Sequence, residues 1–141
     1  MTRIFVYGTL KKGFHNHRLL EGQKFICKAE TDDLKVMHCT GIPFLYNVGG
    51  YYYNGNMHRG HHVTGEVYDV DDQALKMIDA LEGHPRWYRR QSIRLRSGHT
   101  EHYKSKPRYY DRFMAEAYFM TPDVTHNGLP EFPTNQIRRT F

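Results

Sequence analysis

A chain of 141 residues with 39% hydrophobic and 25% charged residues can hold one domain around one core, and its 14% aromatic share, carried by 11 Tyr and 8 Phe, excludes a disordered chain. The formal charge of +5 and pI near 9.2 permit attraction to nucleic acid or acidic partners, although charge of this size bears on solubility and encounter more than on function. The only cysteines, Cys27 and Cys39, make no disulfide framework, nothing approaches a membrane span, and the first residues enter a strand pattern without an apolar leader, so a soluble cytoplasmic protein is expected.

Residues 3–7 are rich in branched and aromatic side chains and predict a β-strand, which runs directly into a turn bounded by Gly8 and Gly13. A buried strand ending in such a turn leaves N–H groups without ladder partners, able to face an anion or a polarised carbonyl. Residues 14–22 suit one or two helical turns packing Leu19 and Leu20. Residues 23–30 and 34–40 alternate as strands and, with the turn-prone Thr31-Asp32-Asp33 between them, predict a hairpin. The stretch 41–45 breaks the pattern, and the Gly, Asn and Tyr mixture of 46–60 predicts loops or short irregular strands.

Residues 62–70 form the next strand, with Gly65 where something approaches closely. Asp71 can cap a helix over 72–82, whose Leu75, Ile78 and Leu81, flanked by Ala74 and Met77, share one face, and Gly83 and Pro85 end it. Residues 87–96 and 112–120 are the last two strands, joined by a long charged and aromatic connection over 97–111. From 121 onward three prolines and few apolar residues predict an irregular tail packed on a domain of residues 1–120. Strands around one secure helix give an α+β fold, with strands able to curl into a small barrel.

Two separated stretches carry a family resemblance. Val6-Tyr7-Gly8-Thr9-Leu10 with Gly13 resembles the signature loop of the gamma-glutamylcyclotransferase-like superfamily. The run from Ile78 to Gly83, followed by Tyr88-Arg89-Arg90, resembles its catalytic segment, and Pro43-Phe44-Leu45, Gly65-Glu66-Val67-Tyr68 and Ala117-Tyr118 fit the intervening marks. The resemblance spans residues 3 to about 120 and looks most like the gamma-glutamylamine cyclotransferase branch. It implies a small mixed β-barrel with one main helix that cleaves a small gamma-glutamyl amide and releases 5-oxoproline, with no cofactor and no metal. Glu82 is then the catalytic residue, Tyr7, Gly8, Thr9 and Leu10 supply an oxyanion loop, and Tyr88, Arg89 and Tyr118 hold the substrate's amino-acid end.

The residues make chemical sense in those roles. Attack of an α-amine on its own γ-carbonyl closes a five-membered ring and needs no protein nucleophile, because proximity is built into the substrate. One carboxylate can take the amine's proton and return one to the leaving nitrogen if its pKa is raised, and Glu82, at a helix C-terminus beside Leu81, fits. Asp79, one turn earlier, reads as a capping or supporting group. Plainer roles compete for other residues: His58, His61 and His62 read as loop histidines rather than zinc ligands, and Tyr51 to Tyr53 as edge packing. The arginines of 86–96 and 104–112 interleave with aromatics as in nucleic-acid binders, but solvated strand faces have the same composition. The alternative function is a non-catalytic module of the same fold that binds nucleic acid or a modified amine.

Overall fold

The computed structural model describes residues 1–98, 110–120 and 128–141. In chain order the strands are β1 (Thr2–Val6), β2 (Lys24–Thr31), β3 (Val36–Cys39), β4 (Pro43–Tyr46), β5 (Gly50–Tyr53), β6 (Asn56–Arg59), β7 (Thr64–Val70), β8 (Tyr88–Gly98), β9 (Tyr110–Met120) and β10 (Ile137–Arg138). A 3₁₀ helix covers His15–Leu20, and the main helix, α1, covers Asp72–Glu82. Strands β1, β7, β2, β8 and β9 close a barrel, in which β1 is antiparallel to β7 and parallel to β9. Strand β1 is apolar at consecutive positions because both of its faces are covered. Phe5 and Tyr7 join the barrel's inner cluster with Val67, Ile93, Leu95, Ala117 and Phe119. Ile4 and Val6 point the other way, to Leu20, Val70, Ala74 and Ile78.

Helix α1 follows β7 directly and starts where Asp71 Oδ1 accepts the Ala74 N–H at 2.8 Å, so the capping carboxylate satisfies one orphan donor of the first turn. It ends at Gly83, whose φ of 66° is the left-handed geometry that glycine adopts at least cost. The buried face is narrower than the apolar pattern predicts. Ala74 and Ile78 are buried, whereas Met77 and Leu81 stay 51% and 44% exposed, because the barrel meets the helix along one stripe. Gly65 sits where the sequence puts a close approach: a Cβ there would lie 2.4 Å from the Val6 carbonyl oxygen and 2.7 Å from the Phe5 ring.

Two expectations are corrected. Strands β2 and β3 do not form a hairpin; β2 pairs with β7 and β8, while β3 pairs with β4 and β10. The turn between them is held outward instead: Thr31 and Val63 exchange two hydrogen bonds, and the Asp32 N–H donates to the Arg94 carbonyl at 2.9 Å. Alternation fixes which face of a strand is apolar, but not which strand is its neighbour. The stretch 46–60, expected to be irregular, contains a regular hairpin of β5 and β6 closed by Asn54-Gly55, with φ of 52° and 76°. Those angles suit the tight turn that the right-handed strand twist favours.

The expected connection over 97–111 is strand at both ends, with Ser97 and Gly98 in β8 paired to Asp111 and Tyr110 in β9; residues 99–109 lie outside the described residues. Of the expected irregular tail, residues 128–141 are described, and they add β10 against β3 and a bridge from Glu131 to Tyr52. Ile137 is 6% exposed and packs with Val36, Tyr46 and Tyr51 as a third cluster. Ile137→Ala is expected to cost about 2 to 4 kcal/mol, seen as a melting midpoint lower by roughly 6 to 12 °C. Among the described residues no helix is long and apolar enough to cross a membrane.

Candidate active site

Where β1 leaves the barrel the chain turns sharply, and the carbonyls of the turn are tied down. The Gly8 carbonyl accepts the Lys11 N–H at 3.0 Å, the Thr9 carbonyl accepts the Asn16 N–H at 3.2 Å, and the Leu10 carbonyl accepts His17 Nδ1–H at 2.8 Å. Asn16 also donates its side-chain amide to Thr9 Oγ1 at 2.8 Å. The N–H groups of Gly8, Thr9 and Leu10 make no hydrogen bond to any described residue. Gly8 is needed for space rather than for backbone angle. It has no positive φ, but a Cβ on it would stand 2.7 Å from Pro43 Cγ.

This turn forms one wall of a cavity of about 300 Å³, and Glu82 and Leu81 at the end of α1, Tyr88 of β8, Tyr118 of β9, Pro43 at the start of β4 and the preceding Ile42 line it as well. Burial pushes the Glu82 carboxyl up to about 7, against an ordinary value of 4.5. Tyr7, Tyr88 and Tyr118 are all pushed up as well, first by burial and then in part by the neighbouring charge of Glu82. Tyr7 Oη donates to the Tyr118 carbonyl at 2.6 Å, and Tyr88 Oη donates to the Pro43 carbonyl at 3.2 Å while its ring stacks on Phe44. Tyr118 Oη donates to Asp79.

The cavity therefore brings together residues from four separate parts of the chain. A family model described as gamma-glutamyl cyclotransferase, AIG2-like, matches residues 4–138. The chain belongs to that family. A gamma-glutamylaminecyclotransferase from Rattus norvegicus is 36% identical over 104 residues, which make up 68% of this chain and 64% of the rat protein. Gamma-glutamylaminecyclotransferase C from Danio rerio is 42% identical over 100 residues, 65% of this chain and 60% of its own. The matched stretch thus spans under two thirds of either relative. In fold, a crystal structure of an AIG2-like protein from Mus musculus superposes with a TM-score of 0.61 at 24% identity, covering 94% of this chain and 96% of that one.

Within this member of the AIG2-like family, seven of the eight residues expected at the site line the cavity: Tyr7, Gly8, Thr9, Leu10, Glu82, Tyr88 and Tyr118. Arg89 does not. Side chains alternate along β8, so Tyr88 and Arg90 share a face and Arg89 points away, exposed to solvent. The inward arginine is Arg90, whose Nε and Nη2 reach Asp79 at 3.0 and 3.3 Å and whose Nη1 reaches Glu116 at 2.8 Å. Arg90 lies opposite Tyr118 in the β8–β9 register, a placement that period-two counting from Tyr88 could have suggested. Asp79 is pushed up by burial, but the hydrogen bonds of Arg90 and Tyr118 outweigh that and hold it below its ordinary value. The cavity residues His15, Asn16, Ile42, Pro43 and Leu81 are not among the expected site residues, and of these only Pro43 and Leu81 lie in stretches that carry the resemblance.

The features with plainer expectations have local partners. His62 Nδ1 meets the Thr31 carbonyl at 2.8 Å, His58 stacks on Tyr51 at 5.2 Å, and among the described residues no three His, Cys, Asp or Glu side chains gather as a metal-holding group. Several of the late-strand arginines have carboxylate partners: Arg94 and Arg112 flank Asp32, and Arg96 flanks Glu30 together with Arg139 from the C-terminal stretch. Lys104 lies outside the described residues.

Proposed function

We propose that the protein is a gamma-glutamylamine cyclotransferase acting on a small gamma-glutamyl amide in the cytoplasm. The observation that carries this reading is the pairing, in one small cavity, of a buried carboxyl with a pKa raised to about 7 and a turn whose N–H groups have no described partner. The substrate's glutamyl part folds so that its α-nitrogen lies over its own γ-carbonyl carbon. Glu82 takes a proton from the α-ammonium group, and the freed amine attacks the carbonyl carbon, forming the new C–N bond as the carbonyl pair moves onto oxygen. The N–H groups of Gly8, Thr9 and Leu10 meet that oxyanion. As the carbonyl re-forms, the bond to the outgoing nitrogen breaks while Glu82 gives that nitrogen its proton, and the emptied carboxylate takes the surplus proton from the ring nitrogen and releases it to solvent, so the products are 5-oxoproline and a free amine. A carboxyl titrating near 7 suits both transfers, since either form is accessible at neutral pH. The free thiols of Cys27 and Cys39 agree with a reducing compartment.

The test incubates the purified protein with gamma-glutamyl amides of different amines and measures 5-oxoproline by mass spectrometry. Release from at least one member at a rate well above the spontaneous one is expected; no release from any would end the proposal. Binding of nucleic acid at physiological salt, with no turnover, would favour the non-catalytic alternative.

A further inference from the structure

The hydroxyl groups around Glu82 are not equivalent to generic polar groups, because the direction of each proton is fixed by what it faces. A backbone carbonyl can only accept, so the Tyr88 proton is committed to Pro43 and the Tyr7 proton to the Tyr118 carbonyl. Tyr118 faces Asp79, and Asp79 is clamped through both oxygens by Arg90, itself anchored on Glu116. A carboxylate held by a guanidinium is an acceptor only, so the single Tyr118 proton must point at it. What Tyr88 and Tyr118 offer the cavity is therefore lone pairs. The turn Gly8 to Leu10, which lines the same cavity, offers N–H donors.

Resting on the reading above, we propose that Asp79, held by Arg90, is a positioning residue that fixes Tyr118 as an acceptor, and that Tyr118 and Tyr88 form, in the cavity that Glu82 also lines, an acceptor pair selecting the substrate's α-ammonium group. The ammonium brings three donors to this pair and to Glu82. After Glu82 takes one proton, the two N–H bonds that remain are still held by the tyrosine oxygens, which leaves the nitrogen lone pair aimed at the carbonyl carbon. Selection and aiming thus come from the same contacts. Tyr118 touches the substrate; Asp79 and Arg90 act through it.

The experiment compares two ligands by calorimetry on the Glu82→Gln protein, which binds without turnover: gamma-glutamyl-n-propylamide and its desamino isostere, glutaric acid mono-n-propylamide. The amino ligand is expected to bind about 10- to 100-fold tighter, the worth of a charge-assisted hydrogen bond. Adding Tyr118→Phe should cut that ratio to about 3 or less while the desamino ligand binds within about twofold as before. Adding Asp79→Asn should also collapse the ratio, because the one amide oxygen goes to Arg90 and the amide N–H turns to Tyr118, whose own proton is then released into the cavity. A merely structural role for Asp79 would weaken both ligands alike, and that result overturns the proposal, as does an unchanged ratio in both variants. Equal binding of the two ligands by the parent protein, or binding of neither, also overturns it. Absence of 5-oxoproline from the wild-type protein with the ratios as expected would sink the proposed reaction and leave this acceptor pair standing.

Discussion

Replacing Glu82 by Gln is expected to lower kcat for 5-oxoproline formation by about 10² to 10⁴ while making the protein more stable at pH 8. Both effects come from one burial. In the wild type the base form is needed, so kcat/KM should rise with pH along a limb centred near 7, the value to which burial lifts the carboxyl. The glutamine cannot titrate, and its residual rate should lose that limb. The stability effect has a definite sign. The folded-state pKa lies above the ordinary 4.5, so folding suffers no penalty below about 4.5; stability is lost as pH rises toward 7, because the unfolded chain ionises there and the folded one does not. The shift alone would be worth about 3 kcal/mol, and the side chain's partial contact with water reduces that to about 1 to 2. Glu82→Gln should therefore melt with the wild type at pH 4 and roughly 3 to 6 °C above it at pH 8. Rates from pH 5 to 9 and melting curves at the two ends check the pair. A variant of near wild-type activity, or one less stable at pH 8, would remove Glu82 from the proposed role.

The second large effect is expected at Gly8. A methyl group there would meet Pro43 Cγ at 2.7 Å, so either the turn or the start of β4 must give way. Neither can move without consequence, because the N–H groups of the turn are the proposed oxyanion donors and the Pro43 carbonyl receives the Tyr88 hydroxyl. Gly8→Ala should cut kcat/KM by about 10² to 10³, the loss expected when an oxyanion donor is displaced, and overpacking should cost about 1 to 3 kcal/mol. Gly13 is the internal comparison. Its φ of 95° is strained for alanine, but nothing lies within 4 Å of a Cβ there. Gly13→Ala should lose about 1 to 2 kcal/mol of stability and keep most of its activity. Equal activity loss in the two variants would refute the steric account of Gly8.

What could be read from the residues was whatever depends on neighbours in sequence. Helix α1 was legible to its ends because Asp71 and Gly83 act within one turn of themselves, and β1 because its apolar run needs both faces covered. Glu82 and the Tyr7 to Leu10 turn were legible as a pair only through the family resemblance; nothing local brings residues so far apart in the chain to one cavity. That Arg89 faces away from the cavity was not legible, because adjacent strand residues look alike in composition and differ only in the face they present. Strand partners were the least legible. The residues of β3 alternate as any strand does, and that its neighbour is β10 follows from a chain reversal nearly a hundred residues later.

That pairing has a bearing on how the protein folds. Strand β3 leads through residues 40–42 into β4, so the stretch carrying Ile42 and Pro43, one side of the cavity, hangs from a three-stranded sheet whose outer strand is β10. The barrel's closing contact, Ile4 with Glu116, is also made across most of the chain. Pairings so distant in sequence form slowly and late. The wall at Pro43 should therefore gain its outer strand, and the cavity its finished shape, late in folding.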